Sequence, residues 1–311
     1  MGQASFIETE VRPGPPPAEP RSFQAAAPTS GAPATVPLLG QRMKPDEFQE
    51  RLFRSCSARR AHAQLIAEAA GVLSGMVLLA ARCAEEGLSC EALLPDGGRC
   101  AAGTPVARFR GAPAAIVEAE NHVIGLLSKP SGVATAVAQA VAAADGRVEI
   151  VCGGWKKLPP AFKEPLRQAV QDGGAKPRIC EPPFTYLDKN YVRIFGGIAA
   201  ALEQARPLGR PIVVQVRGEH GAPAEETLAA ARGGASIIMI DTGRLRDLRQ
   251  AAAVLRRAGC RDSLRLAFAG SIALGDIERL SREDVDLLDI GYAVLDAPCL
   301  PLRFDVVEVE R

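Results

Sequence analysis

Ala235-Ser236-Ile237-Ile238-Met239-Ile240-Asp241-Thr242 decides the fold. It is the most apolar strand-like run in the chain, and it ends abruptly on a carboxylate. Similar short runs recur on both sides: Glu149–Cys152, Ile212–Val216, Leu264–Phe268 and Leu287–Ile290. Each reads as a buried strand. Between them lie segments with helical spacing: Ala161–Gln171, Glu225–Gly233, Leu245–Ala258 and Leu274–Arg282. Strands alternating with helices argue for parallel βαβ units. The number of units favours a βα barrel, complete or incomplete, over an open sheet. Chemistry in such a barrel sits at the C-terminal ends of the strands. There the sequence places Gly153-Gly154, Arg217-Gly218, Asp241-Thr242, Ala269-Gly270-Ser271 and Gly291.

The first half reads differently. Glu47–Arg60 suggests a short helix, Ala61–Leu73 a strand and Ser74–Glu86 a helix. Asp96-Gly97-Gly98 and Ala102-Gly103 punctuate Cys90–Arg110 as in a β-hairpin. Ala114–Leu127 and Val133–Ala144 read as two helices separated by Pro130-Ser131-Gly132. The expected organisation is α/β: an α+β domain over 43–145, then a barrel over 146–311. Leu302–Val309 is expected to return to the first domain. Residues 1–42 hold Pro13, Pro15, Pro16, Pro17, Pro20, Pro28, Pro33 and Pro37 among Ala, Gly and Ser. That composition cannot bury enough apolar area to offset ordering, so a disordered tail is expected. Met43, before Lys44-Pro45-Asp46-Glu47, is an alternative start.

The 311 residues are 47% hydrophobic, enough for a substantial core, and the formal net charge is +1. Such a balance gives no electrostatic case for nucleic acid or an acidic membrane. One Trp and three Tyr argue against a stacking platform for single strands. The eight cysteines form no CxxC pair and there are three histidines, which disfavours zinc. Unpatterned cysteines and the absence of a signal-like or spanning run suggest a reduced cytoplasmic protein.

Several stretches, in order, resemble the quinolinate (nicotinate-nucleotide) phosphoribosyltransferase family. Ala119-Glu120-Asn121-His122 through Leu127, then Ser131-Gly132-Val133-Ala134-Thr135, is similar to its AERT…L…LSGIAT helix pair. Trp155-Lys156-Lys157-Leu158-Pro159 is similar to its TRKTTPG turn. Ala169-Val170, Gly173-Gly174 and Arg178 resemble its AV…GGG…HR segment. Leu187-Asp188-Lys189-Asn190 resembles LIKDN, and Ala235–Asp241 resembles GADIIMLDN. Ala269-Gly270-Ser271-Ile272 and Asp289-Ile290-Gly291 resemble its SGGI and ISVG phosphate loops.

The resemblance implies phosphoribosyl transfer from phosphoribosyl pyrophosphate to a nitrogen heterocycle, with Mg²⁺ and a homodimer or larger assembly. It implies catalytic roles for Lys156 and Asp241, Asp241 also being the candidate Mg²⁺ ligand. Trp155, Arg178, Lys189, Gly270, Ser271 and Gly291 would bind substrate. Each also has a plain reading: a solvated lysine opening a helix, a loop lysine or arginine, an acid capping the next helix, or glycines serving tight turns. His122 and His220 read as a helix-surface and a loop histidine.

The departures bear on the acceptor. The family's acid-binding arginine after Ala-Glu is Asn121, and the arginine of its Arg-Lys pair is Trp155. Gln215 and Arg217 replace carboxylates, and Ala267 replaces the Glu before the SGG loop. Trp155 is expected to offer a flat face and one N–H to a ring of low negative charge. The acceptor is therefore expected not to be quinolinate. The alternative is a catalytically degenerate homologue that binds a sugar phosphate or plays a structural or regulatory part.

Overall fold

Alternation along Ala61–Ala67 puts Ala61, Ala63, Leu65 and Ala67 on one buried face, which makes this run the centre of the N-terminal sheet. The computed structural model describes residues 47–311, so the expectations for 1–42 and Met43 lie outside the described residues. The chain runs α1 (Glu47–Leu52), β1 (Ala61–Ala67), β2 (Gly71–Val72), α2 (Met76–Glu86), β3 (Ser89–Ala92), β4 (Arg99–Cys100), β5 (Pro105–Gly111) and α3 (Pro113–Ala144). The expected strand 61–73 is thus two strands, and the expected helix 47–60 ends in a 3₁₀ turn at Arg54–Cys56. The expected hairpin is also redrawn, because β3 pairs with β5 while β4 pairs with β2.

From α3 the chain continues with β6 (Glu149–Val151), α4 (Pro160–Asp172), β7 (Thr185–Leu187), α5 (Lys189–Phe195), α6 (Ile198–Ala205), β8 (Ile212–Val216), α7 (Pro223–Arg232), β9 (Ile237–Asp241), α8 (Leu245–Arg257), β10 (Arg265–Ala269), α9 (Ile277–Leu280), β11 (Leu287–Asp289), α10 (Tyr292–Leu295) and β12 (Leu302–Val309). The antiparallel sheet has the order β12-β1-β5-β3, with β12 closing back on β1. Its core holds Leu65, Leu79, Phe109, Ile116, Val123 and Leu127.

The expected break at Pro130-Ser131-Gly132 does not occur. α3 is one helix of 32 residues with Pro130 inside it. A proline removes one helical donor and crowds the preceding turn, but here tertiary contacts hold the segment. The carbonyl deprived of its donor belongs to Leu126, and Gly75 packs so near that a Cβ on it would lie 2.3 Å from that oxygen. The 297–300 segment crosses the same place. Ser128 Oγ donates to Leu300 O at 2.7 Å, Lys129 Nζ donates to Ala297 O at 2.7 Å, and the Leu300 N–H donates to Ser128 O at 2.8 Å. Gly132 permits the crossing, since a Cβ there would meet Pro298 O at 1.9 Å.

The second sheet is parallel, in the order β6-β11-β10-β9-β8-β7. A single bridge from Val151 to Lys176 stands where a further barrel strand would follow α4. Pro177, Pro182 and Pro183 follow it, and proline cannot donate to a ladder. The helix expected over Leu274–Arg282 is a 3₁₀ turn at Leu274–Asp276 and the single turn α9.

Residue parity divides the barrel. Val151, Val213, Ile237, Met239, Ala267, Ala269 and Leu287 pack with Tyr186 in one interior cluster. Their neighbours Ile150, Val214, Ile238, Ile240, Leu266, Phe268 and Leu288 pack outward in the cluster shared with the helices. Both sets are apolar because strands of a parallel sheet are buried on both faces. Glu149 closes one end of the interior through ion pairs with Lys176 at 3.1 Å and Arg265 at 3.3 Å. No helix of the described residues is long and apolar enough to cross a membrane.

Candidate active site

Because side chains alternate along a strand, the interior parity extends to the strand ends. On β9 it runs Ile237, Met239, Asp241; on β11, Leu287, Asp289; on β8, Val213, Gln215, then Arg217. The residues that follow the apolar interior are therefore polar, and they converge at the C-terminal mouth. Gln215 Nε2 donates to Asp241 Oδ2, and the Arg217 guanidinium reaches the same oxygen at 3.0 Å. Gln215 Oε1 accepts the Lys189 backbone N–H at 3.0 Å. Gln215 thus links the ends of three neighbouring strands.

Burial lifts the Asp241 carboxyl above its ordinary range, against the pull of Arg217, Gln215, Lys189 and Lys157. Asp289 is pushed up further, to about 7. Burial is the main cause, a Gly153 backbone hydrogen bond opposes it, and the Asp241 charge adds to it. Burial also raises the Tyr186 phenol, with Asp289, Asp241 and Asp188 adding to the shift. The Tyr186 hydroxyl donates to Met239 Sδ at 3.5 Å.

Lys156 pairs with the buried carboxylate of Asp188. Asp188 also accepts the Asn190 and Tyr191 amides at 2.9 and 3.4 Å, capping α5. Burial alone would raise Asp188, but Lys156 and these two amides hold it below the usual carboxylate range. Arg193 forks onto Glu219 at 2.6 and 2.7 Å at the rim. Arg178 is exposed and has no ion pair among the described residues. His220 is exposed in the loop after β8, and its backbone N–H donates to Glu226 Oε1 at 2.7 Å. His122 lies on α3, 2.7 Å from Glu86 Oε1.

Two pairs of loops meet at the mouth. Gly270 has φ +107, and a Cβ on it would lie 2.3 Å from Gly243 N. Only glycine fits both the backbone angle and that approach. Ser271 follows with φ 59 and is exposed. Gly291 comes against Gly154, where a Cβ on Gly291 would stand 3.8 Å from the Gly154 Cα. Backbone amides concentrated in such turns favour an anion.

Trp155 corrects the sequence expectation. It is buried, its Nε1–H donates to Pro177 O at 2.7 Å, and the Arg167 guanidinium carbon lies 5.3 Å from its ring centroid. The donor expected to meet the acceptor is already engaged. The structure also adds residues that sequence reading missed. Asp188 and Tyr186 escaped because Thr185–Leu187 is too short to read as a strand. Asp289 was legible in principle, since it lies two residues after the interior Leu287.

A cavity of about 420 Å³ lies away from the mouth, lined in part by Ser236, Leu264 and Arg265 at the starts of β9 and β10. The groups with shifted protonation at the mouth are not among its lining residues, which makes the mouth the better candidate.

Residues 50–131 match the family description "Quinolinate phosphoribosyl transferase, N-terminal domain", and residues 133–305 match its C-terminal domain. A probable nicotinate-nucleotide pyrophosphorylase [carboxylating] of Archaeoglobus fulgidus is 30% identical over 216 residues, covering 68% of this chain and 81% of that protein. The human nicotinate-nucleotide pyrophosphorylase [carboxylating] is 26% identical over 246 residues, covering 76% and 80%. The crystal structure of the Pyrococcus furiosus nicotinate-nucleotide pyrophosphorylase superposes with a TM-score of 0.73 at 20% identity, covering 85% of this chain and 73% of that one. The Francisella tularensis structure gives 0.70 at 21% identity, covering 85% and 98%. At these identities the structural likeness speaks for the fold.

Proposed function

The chain belongs to the quinolinate phosphoribosyltransferase family, and from that premise we propose that it transfers phosphoribose from phosphoribosyl pyrophosphate to a nitrogen heterocycle. The observation that carries this reading is the convergence of Asp241, Gln215 and Asp289 at the barrel mouth, with Lys156 and Lys189 beside them. The ring nitrogen attacks the anomeric carbon. A C–N bond forms as the C–O bond to pyrophosphate breaks, and the electron pair leaves on pyrophosphate. The reaction is driven by positioning and electrostatics.

Lys156 and Lys189 bind phosphate oxygens, and Asp188 holds the Lys156 ammonium at the mouth. The amides around Gly270, Ser271 and Gly291 supply uncharged donors to phosphate, and the exposed Arg178 is proposed as a further cation. Asp241, aimed by Gln215 and Arg217, faces the positive charge that develops on the ribosyl centre. Among the described residues no group of three or more His, Cys, Asp or Glu side chains is arranged to hold a metal ion. Mg²⁺ usually takes one or two carboxylates plus substrate phosphates rather than an all-protein cage. Asp241 is the carboxylate that would hold the ion, and the ion would offset charge on the leaving pyrophosphate.

Lys156→Ala is expected to weaken phosphoribosyl pyrophosphate binding about tenfold or more. A charge-assisted contact contributes roughly 1.5–3 kcal/mol. Titration calorimetry measures it, and an unchanged dissociation constant would remove Lys156 from the site.

The acceptor is proposed to carry less negative charge than quinolinate. Asn121 and Trp155 replace two expected arginines, the Trp155 N–H is spent on Pro177, and Arg217 is committed to Asp241. Two lost charge-assisted contacts cost on the order of a hundredfold or more in specificity. Steady-state assay with quinolinate is expected to give kcat/KM below about 10⁴ M⁻¹s⁻¹, and a value above that would restore quinolinate as the acceptor.

A second reading is favoured by one observation. Arg217, at a position where the resembled family has a carboxylate, neutralises Asp241 directly. A protein that binds phosphoribosyl pyrophosphate but releases no pyrophosphate with any heterocycle would be a ligand-binding homologue instead.

A further inference from the structure

The carboxylates of the mouth are not equivalent. Asp188 is matched by Lys156, and Asp241 by Arg217 and Gln215. Asp289 has no ion pair among the described residues, and its hydrogen bond comes from the Gly153 backbone. It projects from the interior parity of β11, beside β6, whose Val151 pairs with it in register. The contact with Gly153 is close. A Cβ on Gly153 would stand 2.5 Å from Asp289 Oδ2 and 2.9 Å from Oδ1. The carboxylate is therefore seated against the turn that leads to Lys156.

Its position in the motif sharpens the point. Asp289 stands at the serine of the resembled ISVG loop. An added, unmatched negative charge next to a site for phosphates is costly, and it repels an acidic ring. The cost is recovered only by a ligand that brings a donor to it. A carboxylate that recognises a donor discriminates strongly against an analogue lacking one, because the buried charge is then left unpaired.

We infer that Asp289 determines acceptor specificity, receiving a hydrogen bond from a carboxamide, amino or ring N–H group of a neutral heterocycle. This rests on the phosphoribosyl-transfer reading above. It deepens that reading by naming the acceptor class: donor-bearing rings rather than ring carboxylates.

The test compares two probes of one ring, pyridine-3-carboxamide and pyridine-3-carboxylate, by pyrophosphate release with phosphoribosyl pyrophosphate and Mg²⁺. Assay at about pH 8 keeps Asp289 ionised. The wild type is expected to favour the carboxamide at least about tenfold in kcat/KM. Asp289→Asn keeps an oxygen for the Gly153 N–H but exchanges the other oxygen for a donor. It is expected to shift the ratio about tenfold or more toward the carboxylate. Asp289→Ser, which restores the residue of the resembled motif, is expected to shift it the same way and serves if the Asn variant does not fold. A purely structural role would change folding without moving the ratio. Wild-type preference for the carboxylate, turnover of neither probe, or a ratio unchanged in a folded variant overturns the inference. Calorimetry with phosphoribosyl pyrophosphate separates the two levels. Binding with an unmoved ratio overturns Asp289 alone, and no binding overturns the parent reading as well.

Discussion

Asp241→Ala is expected to lower kcat by roughly a hundred- to a thousandfold, with a much smaller change in phosphoribosyl pyrophosphate affinity. A fixed charge aimed at developing charge of opposite sign is worth about 10²–10³ in rate. Asp241 has the features this requires. It ends β9 at the interior parity, is partly buried, and is held by Gln215 and Arg217 on one oxygen. The lysines proposed to bind phosphate are separate groups, so ground-state binding is expected to be largely preserved. Single-turnover kinetics beside calorimetry distinguishes the two quantities. A variant with near-normal kcat would remove Asp241 from the chemistry, and one that loses binding in proportion would make it a binding residue. Asp241→Asn, which keeps shape and a hydrogen-bonding oxygen, is expected to fall between, since only the charge is lost.

The second large effect is on stability and follows from Asp289. Its carboxyl is raised from 3.8 to about 7 in the folded protein by burial and by the Asp241 charge. A raised carboxyl means that the folded state holds the proton more tightly than the unfolded state. Its contribution to stability is therefore fully present below about pH 4 and is lost as pH rises toward about 7. Asn has no proton to lose. Asp289→Asn is thus expected to leave stability nearly unchanged below about pH 4 and to raise it by on the order of 2–4 kcal/mol at about pH 8. In a chain of this size that is a rise in Tm of roughly 3–7 °C. Thermal unfolding of both proteins at the two pH values measures it. A variant less stable than wild type at the higher pH would show that Asp289 is paired and ionised in the fold. Stability gained together with altered acceptor preference would mark Asp289 as a residue kept for function at a cost to stability.

Much of the fold was legible in local pattern. The apolar runs at Ile212–Val216 and Ile237–Asp241 carry their own strand signal, and α8 shows its buried stripe at Leu248, Ala251, Ala252 and Leu255. β7 was not legible, because Thr185–Leu187 is three residues among prolines. α3 was misread as two helices because proline and glycine are local breakers, and what overrides them at Ser128, Lys129 and Gly132 comes from residues 297–300.

The site divides in the same way. Lys156, Lys189, Asp241 and the glycine loops are legible as candidates because they sit at strand ends or in recognisable motifs. The Trp155 N–H is taken by Pro177 O, and nothing near Trp155 in the chain shows that partner. The sequence by itself determined the alternation of strands and helices, the face each strand residue occupies, and the motif order that identifies the family, since all three depend on residues close together in the chain. Only the tertiary structure decided that Asp188, Gln215, Asp241 and Asp289, at the C-terminal ends of four separate strands, share one mouth, and that Asp289 alone among these carboxylates lacks a cation among the described residues. That outcome depends on the register between strands, which brings charges far apart in sequence into one desolvated space where they shift one another.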